Sequence, residues 1–222
     1  MQHRRYDVAL FDIDGTLCDP GSGITDAAAH ALAQMGFVEN DPLALRRFVG
    51  PPLEHSFRDL YGFDAAAVTE AVGHYREHYA DAGISQYRPY PGVGELLERL
   101  LAAGVELGVV TAKIQEFAEG ALQTAGLRSS FTTVHGRAPD DVVAKVVTLR
   151  RAMQSRRAAP EQVVMIGDRE HDVEAALENG VDVIGVLYGF GTADELHRAG
   201  ARMTAAAPRR VGDLVLGGSV PQ

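Results

Sequence analysis

The chain has 222 residues, 46% hydrophobic and 23% charged, a globular composition that accommodates one ordinary domain plus an insertion. A net charge of -9 and an isoelectric point near 5.3 argue against a general nucleic-acid surface. No apolar run approaches the roughly 18 residues needed to span a bilayer, and the apolar run behind the basic start is cut short by Asp12, which is not the pattern of a signal peptide. The single cysteine, Cys18, excludes an internal disulfide and fits a reducing, cytoplasmic compartment.

Val8 to Phe11 is a short apolar strand ending in Asp12-Ile13-Asp14-Gly15-Thr16. A Gly/Pro-rich connector follows at Asp19 to Gly23. Helices are then predicted over Ile24 to Met35, Pro42 to Phe48, Leu53 to Tyr61 and Asp64 to Ala82, with Asp64 as an N-cap and Gly83 as a stop. Residues 19–87 therefore read as all-helical. From Pro91 the pattern alternates. Helices are expected at Gly92 to Ala103, Phe117 to Ala125, Val142 to Ser155 and Val173 to Glu178. Strands are expected at Val105 to Thr111, Phe131 to His135, Val163 to Gly167 and Val183 to Leu187. A short helix around Arg209 to Leu216 closes the chain. This alternation implies an α/β fold, a doubly wound parallel sheet of Rossmann type, with a helical cap (19–87) inserted into a core of residues 1–18 and 88–222.

Polar residues recur at the carboxyl ends of these strands, where open parallel sheets bind ligands. Asp12 and Asp14 end the first strand, Thr111 the second and Asp168 the fourth, while Lys145 lies near the start of the helix between the third and fourth strands. Two close carboxylates repel unless a cation intervenes or one stays protonated, so Asp12 and Asp14 suggest a magnesium site, a nucleophile with an acid/base partner, or both. A plain strand running into an Asx-type turn explains the same five residues alone. The wider set decides for a metal-plus-phosphate site: three carboxylates suit magnesium, and Thr111 and Lys145 suit phosphate oxygens.

These stretches, with Gly167-Asp168-Arg169-Glu170-His171-Asp172, resemble the four motifs of the haloacid dehalogenase-like hydrolase superfamily, closest to its phosphoglycolate phosphatase and β-phosphoglucomutase branch. The resemblance spans nearly the whole chain. It implies that Asp12 is a nucleophile forming an aspartyl-phosphate and that Asp14 is the acid/base. It further implies that Asp12, the Asp14 carbonyl, Asp168 and Asp172 hold Mg2+, and that Thr111 and Lys145 bind the transferring group. Gly15 permits a backbone turn close to the phosphate and Thr16 orients Asp14. In the cap, Arg47 and Arg58 flank the rigid Gly50-Pro51-Pro52 turn and are candidates for a second anionic group, with surface arginines the competing reading.

The expected function is hydrolysis of a small phosphorylated metabolite, such as phosphoglycolate, a nucleoside 5′-monophosphate or a sugar phosphate, by a monomer or homodimer with no nucleic-acid or membrane partner. A mutase and a catalytically idle phosphate-binding domain are the alternatives. Asp14 argues against a dehalogenase, and the lack of a cap lysine against a phosphonate hydrolase. His74 and His78 read as a solvated face, and His171 as exposed or beside the site. Lys113 reads equally as a substrate contact or a surface lysine. Gly189-Phe190-Gly191 lacks the third glycine of a dinucleotide loop and reads as a loop bordering the cleft.

Overall fold

Strand β1 (Val8–Phe11) is buried along its whole length, and its side chains alternate between two apolar layers: Ala9 and Phe11 face one, Val8 and Leu10 the other. A strand buried on both faces belongs at the centre of a helix-covered sheet. The computed structural model, which describes residues 4–139, 143–156 and 158–218, places it there. Its parallel neighbours are β4 (Glu106–Ile114) on one side and β6 (Val163–Gly167) on the other. With β5 (Thr133–Arg137), β7 (Asp182–Val186) and β8 (Met203–Ala205), they form a six-stranded parallel sheet in the order β5-β4-β1-β6-β7-β8. Numbered within the sheet, this is the doubly wound order 3-2-1-4-5-6, whose reversal lies beside β1.

Helices α5 (Val93–Ala102), α6 (Gln115–Thr124) and α10 (Pro208–Val215) cover one face of the sheet. Helices α7 (Lys145–Arg156), α8 (Glu170–Glu178) and α9 (Ala193–Ala199) cover the other. The predicted start of α7 at Val142 lies outside the described residues. Helix α9 and strand β8 were not anticipated. Neither is long enough for its period to emerge, at seven and three residues.

Between β1 and β4 the chain makes helices α1 (Gly23–Gln34), α2 (Pro42–Arg46), α3 (Leu53–Tyr61) and α4 (Ala65–His78). Asp64 caps α4, accepting from the Ala67 N–H at 2.9 Å, and Gly62 ends α3 in the left-handed region. Gly83 does not stop α4 as a left-handed residue. The helix passes into a π-helical turn over Tyr79–Gly83 and a 3-10 turn over Ile84–Gln86. A Cβ on Gly83 would collide with the Tyr79 ring, so the missing side chain serves close packing. The two ends of the helical segment are clasped by a ribbon that the sequence does not announce, in which β2 (Cys18–Asp19) pairs antiparallel with β3 (Arg88–Pro89). Among the described residues, no helix is long and apolar enough to cross a membrane.

Candidate active site

Strand β1 stops at Phe11 because the next residues turn: the N–H groups of Thr16, Leu17 and Cys18 all point to the Ile13 carbonyl. Gly15 makes this possible at φ 80°, and a Cβ there would fall inside the Asp168 carboxylate. The loop carries Asp12 and Asp14 to the edge of one cavity beneath the helical segment, rather than along a continuing strand. The cavity encloses about 530 Å3 of free space, including its mouth.

The chain has two lysines, and each is paired with one of the two opening acids. Lys145, the first residue of α7, holds Asp12 Oδ2 and Asp172 Oδ1 with its Nζ, both at 2.7 Å. Burial favours the neutral amine, but the two carboxylates outweigh it and raise the Lys145 pKa. Asp172 also accepts from the Arg169 N–H at 3.1 Å, the N3 acid reaching back to cap its own helix. Asp168 accepts from the Phe190 N–H at 2.8 Å and from the Thr16 hydroxyl at 3.3 Å. Thr16 therefore braces Asp168 rather than Asp14. The Gly189-Phe190-Gly191 loop does border the site, and it is built without side chains at both glycines because a Cβ at either would strike Asp168.

Carboxylate oxygens of Asp12, Asp168 and Asp172 lie within 4.8 Å of one another, all buried. Asp12 Oδ1 is buried and, among the described residues, has no hydrogen-bond partner. Burial, then Asp172, then Asp12 push the Asp168 carboxyl up to about 7; burial also raises Asp172. Such a group of hard oxygens, with one orphaned atom and self-repulsion to relieve, fits a divalent cation such as magnesium.

The second lysine corrects the sequence reading. Strand β4 does not end at Thr111 but runs to Ile114, which places Lys113 in the cavity with its side chain only 9% exposed. Its Nζ meets Asp14 Oδ2 at 3.1 Å and the Tyr79 hydroxyl at 3.1 Å. Tyr87 donates to Asp14 Oδ1 in a short contact and accepts from Tyr79 at 2.9 Å. Tyr79 and Tyr87 carry no spacing signal, and Lys113, two residues beyond Thr111, lies in the stretch of β4 where the pairing with β5 is irregular. Thr111 lies buried in β4 and lines the same cavity.

Arg47 and Arg58 are not brought to this cavity. Arg58 is exposed and donates to Asp59 at 2.7 and 3.1 Å; Arg47 is exposed and borders a separate outer groove with His55 and Asp59. Both lie on the outward side of their segment, where charge is cheap to solvate. The arginine that does line the cavity is Arg137, at the end of β5 and 2% exposed. Its Nη2 meets both carboxylate oxygens of Glu54 at 2.9 and 2.8 Å. His74 lies 3.9 Å from Glu70, and His78 stacks on His30. His171 is partly exposed, beside Glu174.

The haloacid dehalogenase-like hydrolase family matches residues 9–186, which contain the whole acid and lysine constellation. The chain belongs to that family. The hydrolase is 43% identical over 193 residues to a 5′-nucleotidase of Pseudomonas aeruginosa, covering 86% of this chain and 87% of the relative. It is 34% identical over 201 residues to tyrosine-protein kinase PtkA of Mycobacterium tuberculosis, covering 90% of this chain and 68% of that one. The crystal structure of a predicted phosphatase from Clostridium acetobutylicum superposes with a TM-score of 0.92 at 36% identity, covering 96% of this chain and 99% of that one. This haloacid dehalogenase-like hydrolase is a phosphatase, a phosphoric monoester hydrolase.

The raised Asp168 pKa makes a prediction for the metal-free hydrolase. Its folded state holds a proton that the unfolded chain, with a carboxyl near 3.8, releases. That contribution to stability is complete below the unfolded value and is lost as pH rises through about 7. In EDTA, Tm should therefore fall by several degrees between about pH 5 and about pH 7.5, and millimolar Mg2+ should restore it at the upper pH. Asp168→Asn should flatten both responses. An equally steep pH response in that variant would remove Asp168 as the source.

Proposed function

We propose that this chain hydrolyses a small phosphomonoester with Mg2+ through an aspartyl-phosphate on Asp12. The observation that carries the reading is the divided state of Asp12, one oxygen charge-paired to Lys145 and the other buried and unpartnered beside Asp168 and Asp172. Asp12, Asp168 and Asp172 would hold the ion, with the Asp14 carbonyl. When bound, magnesium supplies positive charge that offsets the phosphoryl oxygens and the three carboxylates.

In the first step the Asp12 carboxylate attacks phosphorus, the ester P–O bond breaks, and Asp14 gives a proton to the departing oxygen. In the second, water attacks phosphorus and its proton goes to Asp14. The bond to Asp12 breaks, and inorganic phosphate leaves. Thr111 and Lys145 bind the transferring group, while Gly15 keeps the backbone close to it. Lys113 and Tyr87 fix the Asp14 carboxylate on the leaving-group side of the cavity. The helical segment 19–87 acts as the cap that shapes the leaving-group pocket. We read the ligand as a freely diffusing metabolite in the cytoplasm, in keeping with a net charge of -9 and a single buried cysteine.

The test is hydrolysis of p-nitrophenyl phosphate. Turnover should appear with Mg2+ and disappear when EDTA removes it, returning on metal addition. Turnover indifferent to EDTA would overturn the metal role, and no turnover of any phosphomonoester would favour a phosphate-binding domain without catalysis.

A further inference from the structure

Resting on the phosphatase reading, we infer that the hydrolase selects phosphomonoesters whose leaving group is uncharged and presents a flat or apolar face, and discriminates against those carrying a second anion. Besides the acids, the cavity is lined by Ile24, Phe48, Leu53, Tyr75 and Phe117. These side chains favour a group with little hydration to lose and a face to stack.

A second anion needs a cation with donors to spare. Among the described residues, two cations line this cavity, Lys113 and Arg137, and both are engaged within the chain. Lys113 is committed to Asp14 and the Tyr79 hydroxyl and lies over the Tyr79 and Tyr87 rings, 4.9 and 5.4 Å from their centroids. Arg137 is held on three sides: Nε donates to the Ala112 carbonyl at 3.1 Å, Nη1 to the Pro139 carbonyl at 3.3 Å and Nη2 to both oxygens of Glu54. Arg76 approaches Glu54 at 3.4 Å but turns to the Pro139 carbonyl at 2.7 Å and does not line the cavity. A carboxylate or second phosphate entering here would lose its water without gaining an unpaired cation, and displacing Glu54 from Arg137 would leave that half-buried acid with only the longer 3.4 Å approach of Arg76. Glu54 thus works as a built-in anion that occupies the seat a charged leaving group would need.

The experiment ranks kcat/KM on the magnesium-loaded protein for phenyl phosphate, a nucleoside 5′-monophosphate, phosphoglycolate and a sugar bisphosphate. The first two should exceed the last two by at least about tenfold, the discrimination that roughly 1–3 kcal/mol of unmatched polar burial provides. In Glu54→Gln, which keeps the shape but frees Arg137, the phosphoglycolate-to-phenyl phosphate ratio should rise about tenfold or more. Phosphoglycolate or the bisphosphate equalling phenyl phosphate in the parent protein would overturn the inference and leave the phosphatase reading standing. Loss of turnover on every ester would overturn both. A folded Glu54→Gln protein with an unchanged ratio would overturn the role given to Glu54 and Arg137, and the parent ranking decides the inference even where that variant does not fold.

Discussion

Asp12→Asn is expected to lower kcat for p-nitrophenyl phosphate by at least about 10^4-fold, the scale seen when a covalent nucleophile is removed. The amide has nearly the volume of the carboxylate but no anionic oxygen to attack phosphorus. The fold should tolerate it. Lys145 keeps Asp172 as a partner at 2.7 Å, and one of three mutually repelling acids becomes neutral. In EDTA the variant should melt no lower than the parent, while the rise in Tm on adding Mg2+ should shrink because one ligand charge has gone. Activity and metal-free stability should thus part company. Residual turnover above about 1% of the parent would take the nucleophile role from Asp12, because an amide at that position cannot form the covalent intermediate.

What the sequence disclosed and what it hid separate along physical lines. Asp12 and Asp168 are legible because a parallel sheet presents its ligands at strand ends, and a strand end is a local event; both follow directly on β1 and β6. Lys145 could be found because lysine is so scarce here. Lys113 stays ambiguous in the sequence, between substrate contact and surface lysine, because polar Thr111 reads as the end of a strand that in fact continues to Ile114. In β4 the pairing with β5 is irregular between Val110 and Ile114, so the hydrophobic period gives no help there. Glu54 and Arg137 are 83 residues apart, and nothing in either neighbourhood marks a pair that forms only when the helical segment meets β5. The same limit applies to Arg47 and Arg58. Charges near a rigid Gly-Pro-Pro turn are suggestive, but which side of the turn they face is decided by packing.

Lys145→Met should cost both folding stability and catalysis, and the two losses should respond differently to metal. One ammonium bridges Asp12 and Asp172, and Asp168 is also within reach of the same group of oxygens. Taking it away leaves three buried carboxylates with no cation among them, so in EDTA the protein should lose about 3–5 kcal/mol, the range for breaking a buried pair from one side. For a chain of this size that corresponds to a fall in Tm of roughly 6–20 °C. Millimolar Mg2+ should recover a substantial part of the loss, because a divalent ion supplies the missing charge to the same oxygens. Turnover should stay at least about 10^3-fold down even in saturating metal, since the ion does not replace the ammonium against the transferring phosphoryl group. Lys145→Arg should not rescue it, because a planar fork cannot place one nitrogen at 2.7 Å from both acids in the space of an ammonium. Thermal melts and kcat measured across a magnesium titration separate these outcomes. Recovery of activity in parallel with Tm would mean that Lys145 serves only to hold the acids together and that the phosphoryl group is bound by Thr111 and the metal alone.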